Sequence, residues 1–120
     1  MDVSRRAAQG ALRFARARSA YLAGGCFDAE AMIHLIQRAV AEARAFGYAG
    51  LCATGDMSWA LGRAPDELVA YESRLNATAF RSARLVGLCQ YDAARFGAAA
   101  IDRIVQTHGQ WTGRSDAVPA

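Results

Sequence analysis

Apolar positions along this chain follow two rhythms, and the switches between them mark the elements. Met32, Leu35, Ile36, Ala39, Val40, Ala43 and Phe46 recur at three- and four-residue spacing, while Glu30, Arg38, Glu42 and Arg44 lie largely off that stripe. This is the pattern of a helix with one apolar face. Asp28 can cap its start and Gly47 can stop it, which predicts a helix over about 29–46. The rhythm then changes to a compact apolar run at 49–54, as expected of a strand buried on both faces of a parallel sheet.

The same alternation continues downstream. A short helical turn is expected at 57–61, after which Gly62-Arg63-Ala64-Pro65 breaks and restarts the chain. Pro65 suits a first helical position, and Asp66 and Glu67 suit the positive end of the helix dipole. Leu68, Tyr71, Leu75 and Phe80 form the apolar stripe of that helix. Residues 84–90 predict the next strand, and Asp92 caps a helix over about 93–108 with Phe96, Ala100, Ile101, Ile104, Val105 and His108 near one face. Upstream, 1–10 reads as a flexible N-terminus, Leu12 to Ala15 as a short strand, and Ser19 to Ala23 as one turn before Gly24-Gly25. Gln110 to Thr112 reads as a last edge strand and 115–120 as a tail, leaving 11–114 as one domain. The expected fold is α/β: a small three-layer sheet of about three to four mostly parallel strands, with helices on both faces.

Composition narrows the class without choosing a function. A hydrophobic fraction of 53% and a charged fraction of 21% over 120 residues fit one globular domain. All 14 basic residues are Arg, and the net charge is only +3. Five of them (Arg5, Arg6, Arg13, Arg16 and Arg18) stand in the first 18 residues, but no basic–aromatic ladder accompanies them. Direct nucleic-acid binding is therefore not expected. No apolar run reaches the ~20 residues a bilayer requires, and the basic start lacks the apolar core of a secretion signal. A cytoplasmic protein with no membrane contact is expected. Cys26, Cys52 and Cys89 have no CxxC spacing, so neither a disulfide framework nor a zinc knuckle is indicated.

Candidate chemistry gathers after the two strong strands. Gly55-Asp56-Met57-Ser58-Trp59 follows the first and Cys89-Gln90-Tyr91-Asp92 completes the second. Ligands of open parallel sheets bind beyond the carboxyl ends of the strands. Asp56, Trp59, Gln90, Tyr91 and Asp92 are thus candidates for one ligand site, with Glu72 and Asn76 able to reach it from the intervening helix. Simpler roles compete with each. Asp56 also fits a cap of the 57–61 turn, Trp59 a core seal, and Glu72 and Asn76 a solvated helix margin.

Cys89, Asp92 and His108 invite a thiol-hydrolase reading, but strand alternation turns Cys89 and Tyr91 to one face and Gln90 and Asp92 to the other. His34 and His108 have no HxH or HxxE partner, and neither GxxxxGK[ST] nor GxGxxG is present. No catalytic residue, metal or cofactor is assigned.

Several motifs together carry a resemblance. Tyr21-Leu22, Phe27-Asp28, Gly47-Tyr48, Gly55-Asp56-Met57-Ser58-Trp59, Tyr71-Glu72, Leu75-Asn76, Cys89-Gln90-Tyr91-Asp92 and Thr107-His108 occur here in order. In that order and spacing they resemble the MEDS domain, the sensory domain named for methanogen and methylotroph proteins and the dichloromethane-operon regulator. The similarity runs from about residue 10 to 112. It departs at Gly109, where the family often has proline.

The resemblance implies a partial RecA/KaiC-like α/β fold without a working phosphate loop. The family's further α/β half, preceding the region of Leu12, is expected to be lacking. It also implies a non-enzymatic sensory domain for a small organic molecule, a hydrocarbon derivative, acting in transcriptional or two-component signalling. A homo-oligomer or a partner signalling protein is expected. The alternative is a structural half-domain that works through homo- or hetero-oligomerisation, since a small sheet leaves an edge to be covered.

Overall fold

The computed structural model describes residues 1–22, 24–63, 65–81 and 84–108. In chain order the helices are α1 (Val3–Ala8), α2 (Ala17–Tyr21), α3 (Ala29–Ala45), α4 (Pro65–Ala77), α5 (Ala93–Phe96) and α6 (Ala98–Thr107). The strands are β1 (Leu51–Asp56) and β2 (Leu85–Gln90), and tight helical turns occur at Ser58–Ala60 and Ala79–Arg81. The two strands pair in parallel, with Leu51 opposite Leu85 and Asp56 opposite Gln90. The result mixes helix and strand around a two-stranded parallel sheet.

Local chemistry explains most boundaries. The Asp28 carboxylate accepts the Ala31 amide at 3.1 Å and starts α3. α3 ends at a positive-φ glycine, Gly47. Gly97, at φ +85°, breaks the helix expected over 93–108 into α5 and α6. An L side chain rarely adopts that backbone angle, so the helix cannot run through. At the N-terminus, the stretch read as flexible contains α1, capped by Asp2 and holding no buried residue.

Three expectations are corrected. No strand forms at Leu12 to Ala15. The amides of Ala11 and Leu12 turn back to the Arg6 carbonyl and close the end of α1 instead of entering a ladder. Among the described residues the sheet has two strands, not three or four, and the Gln110–Thr112 edge strand lies outside them. The third correction concerns layering. Along β1 and β2 the inward positions are buried or half-buried, while Cys52, Thr54 and Asp56 on β1 and Val86, Leu88 and Gln90 on β2 are exposed. The described helices therefore cover one face, giving two layers. The apolar run suggested burial on both faces, yet it alternates like a sheet with one face open.

The core lies on the covered face. Met32, Ile33, Met57, Ala60, Leu68, Tyr71, Leu75, Ala79 and Leu85 form a continuous buried cluster. α4 packs on α6, and the Ala79–Arg81 turn packs against both β2 and α3. Gly55 and Gly87 let helix-side aromatics approach the strands. A methyl at Gly55 would overlap the Tyr21 hydroxyl, and one at Gly87 would overlap the Phe80 ring. These contacts explain glycines inside strands, where they otherwise weaken the backbone.

Gly87→Ala should lower stability by about 1–3 kcal/mol through overpacking. Thr54→Ala, on the open face, should stay within about 0.5 kcal/mol of the parent. Urea midpoints for the two variants check this. An unchanged midpoint for Gly87→Ala would mean that Phe80 does not seat on the sheet.

Candidate functional site

Glu72 occupies a position of α4 that sequence pattern assigns to the core. Leu68, Tyr71, Glu72 and Leu75 are spaced as one buried helix face, and all four are buried. Glu72 is wholly enclosed, at 0% exposure. A carboxylate taken from water needs hydrogen-bond donors or a counter-charge. The hydroxyl of Tyr91, just past β2, donates to Oε1. The Cys89 thiol donates to Oε2 at 3.6 Å. His108, at the end of α6, brings Nε2 to 2.9 Å from Oε2. That approach is close but off-line in angle, and Nε2 is enclosed with no other hydrogen-bond partner. It is an ion-pair contact more than an aligned hydrogen bond.

These contacts fix the protonation of the surroundings. Burial first, and then the Glu72 charge, push the Cys89 thiol and the Tyr91 phenol far up, so both stay protonated donors. A thiol held in this form is no nucleophile. The Glu72 carboxylate, as acceptor first, raises the His108 imidazole above its ordinary value, although burial works the other way. Tyr71 is likewise pushed up, chiefly by desolvation.

An aromatic layer borders the cluster. Tyr21 stacks on Trp59 with ring centres 4.7 Å apart, and Phe27 contacts Trp59 at 4.8 Å and Tyr71 edge-on at 5.0 Å. The Arg63 guanidinium lies 5.6 Å from the centre of the Trp59 ring. Trp59 Nε1 is buried without a hydrogen-bond partner. Asn76 donates through Nδ2 to the Thr107 carbonyl at 2.8 Å, tying α4 to the last turn of α6.

The seven residues singled out from sequence fall into two groups. Glu72 and Tyr91 meet directly, Trp59 stacks on Tyr21 in the aromatic layer, and Asn76 secures the α4–α6 seam. Asp56, Gln90 and Asp92 are exposed. Asp56 accepts the Ser58 amide at 2.9 Å, and hydrogen bonds from Ser58 hold its carboxyl below the usual range. Asp92 accepts the Ala94 amide at 3.1 Å and caps α5. Asp92 is thus a helix cap, while Asp56 closes a local turn onto Ser58. Strand alternation correctly separated Cys89 from Asp92, but the same rule placed Cys89 beside Tyr91, and that pairing marks the cluster.

Other features lie elsewhere. Among the described residues, no three His, Cys, Asp or Glu side chains are grouped to hold a metal. A shallow depression of about 550 Å³ lies along α3, lined by Ala31, His34, Gln37, Arg38 and Ala41, and shares no residue with the cluster. No described helix is long and apolar enough to cross a membrane.

Comparison with known families settles the relationship. The family described as MEthanogen/methylotroph, DcmR Sensory domain matches residues 1–109. The chain belongs to the MEDS family. Neither the curated proteins nor the solved structures compared with it gave a match. The matched span includes every residue of the Glu72 cluster, so the cluster lies inside the MEDS sensory domain.

The His108 contact predicts a pH dependence. A raised folded-state value adds stability that is complete below the ordinary 6.5 and is lost as pH rises through the raised value. His108→Gln should remove that pH-dependent part. A proton NMR titration should place the His108 midpoint above the ordinary 6.5, and Glu72→Gln should bring it down. A His108 midpoint at or below the ordinary 6.5 would contradict the pairing. Tyr91→Phe leaves Glu72 one donor short and should cost about 1.5–3 kcal/mol, read from urea unfolding.

Proposed function

We propose that this MEDS chain is a non-enzymatic sensory domain for a small organic molecule, which it reads at the carboxyl end of its parallel strand pair. The observation that carries the reading is the wholly buried Glu72, which gathers Tyr91, Cys89 and His108 from two other parts of the chain. A polar centre beside aromatic walls suits a small, partly apolar ligand. Trp59, Glu72 and Tyr91 are the residues proposed to face it, with Asn76 holding α6 in place. Asp56, Gln90 and Asp92 complete the expected rim on the outward side.

The mechanism follows from which elements Glu72 joins. A ligand that competes for its oxygens changes the bonds to Tyr91 and Cys89 at the end of β2 and to His108 at the end of α6. Differential binding to two arrangements is what converts occupancy into a signal. The shift would pass through α6 to a transcriptional or two-component partner. Protonated Cys89 and Tyr91 support recognition, not catalysis.

A second reading is a half-domain that works by oligomerisation. Val86 at 67% and Leu88 at 52% exposure on the open sheet face favour it. Light scattering separates the two, since a stable dilute monomer with low hydrophobic-dye binding counts against it.

Short alcohols, halomethanes and small acids should be screened by thermal shift and NMR. At least one is expected to raise the melting temperature and to move the Tyr91 and Trp59 resonances. Glu72→Gln should weaken that binding about tenfold or more, as expected for a bond to a charged group. No response to any of them, from folded protein, would overturn the small-ligand reading.

A further inference from the structure

Tyr21 reaches this centre from a short, weakly anchored element. α2 spans five residues, has no buried residue and has no side-chain cap at its start. Shortly after it comes Gly25 at φ +86°, a backbone angle that residues with an L side chain rarely adopt. Tyr21 nonetheless lays its hydroxyl in the space a Gly55 methyl would fill and stacks its ring on Trp59 at 4.7 Å. Gly55 and Cys89 are register partners on the covered face of the sheet. The phenol thus stands one strand away from the thiol that donates to Glu72.

Resting on the sensory reading above, we propose that Tyr21 fills a ligand slot of its own protein, and that the sensed molecule is a small neutral phenol that displaces it. The slot has an indole wall at Trp59, a floor without a side chain at Gly55, and a polar end at Cys89 and Glu72. A flat ring fits the wall, because offset stacking on indole adds to simple burial. A hydroxyl fits the polar end, because a carboxylate has about four acceptor positions and the three groups around Glu72 leave room for another donor. An anion does not fit, because the buried Glu72 charge opposes it. Burial pushes the Tyr21 phenol up to about 12, so the resident side chain is itself a neutral phenol.

Displacement of Tyr21 releases α2 from the strand ends. The N-terminal segment, with Arg16 and Arg18 exposed beside it, then becomes available to a partner. The ligand signal is thus the departure of a side chain the ligand imitates.

The probe is p-cresol, which has the chemistry of a tyrosine side chain. Full-length wild type and Tyr21→Ala should be titrated while the Gly55 amide and the Trp59 indole are followed by nitrogen-15 NMR. Both proteins should bind saturably and show shifts at these two groups. Tyr21→Ala should bind on the order of tenfold or more tightly, because wild type must first open a minor state. Toluene should bind Tyr21→Ala about tenfold more weakly than p-cresol, for want of the hydroxyl. p-Toluate should not bind. Gly55→Ala should lose p-cresol binding, since its methyl fills the slot.

Binding by Tyr21→Ala with no saturable shift in wild type would overturn the proposal, making Tyr21 a permanent core side chain. If Tyr21→Ala does not fold, the wild-type titration alone decides, and no shift at Gly55 overturns it. Should alcohols or halomethanes move Tyr91 and Trp59 while p-cresol moves neither, this inference fails and the sensory reading stands. Should none of these molecules bind, both fail.

Discussion

A fully buried carboxylate sets the terms for this domain. Leaving Glu72 without partners would cost several kcal/mol, more than most single contacts return. Its partners come from sequence positions far apart: Cys89 and Tyr91 at the end of β2, and His108 at the end of α6. Glu72 can therefore be buried at tolerable cost only when β2, α4 and α6 have all docked. The polar centre makes three elements conditional on one another, which no single apolar contact does. It also makes them sensitive to anything that competes for the same two oxygens.

The rest of the architecture supports that centre from one side. Side-chain-free positions at Gly55 and Gly87 bring Tyr21 and Phe80 onto the sheet. Tyr21 and Phe27 both pack against the Trp59 ring. Low local polarity strengthens the bonds to Glu72 and keeps Cys89 and Tyr91 protonated. The opposite face of the sheet carries Val86 and Leu88 into the open. Membership of the MEDS family gives a sensory role to the domain.

Much of this was legible in the residues. The three-to-four spacing located α3, and the strand-end motifs located β1 and β2, because those signals depend on near neighbours in the chain. The break at Gly97 was less visible, since the apolar stripe of α6 continues in phase from Phe96 to Ile101. Layering was misread because an apolar run of six residues fits a strand with one or two covered faces. Only contacts distant in sequence decide between them. Glu72 was picked out as a ligand candidate, with a solvated helix margin as its simpler role; its place between Leu68, Tyr71 and Leu75 already put it on the buried stripe. Cys89, Asp92 and His108 were weighed together as a thiol-hydrolase set, whereas Cys89 and His108 meet at Glu72, a residue outside that set. Asp92 caps α5 and Asp56 accepts the nearby Ser58 amide, local bonds that short polar side chains after strands commonly make.

Hydrogen exchange on Glu72→Gln tests the central claim most directly. If Glu72 joins the three elements, the variant should lose amide protection at the end of β2 and in the last turns of α6 together, by similar factors, while the first turns of α3 stay close to wild type. Loss of protection confined to α4, with β2 and α6 unchanged, would contradict the account.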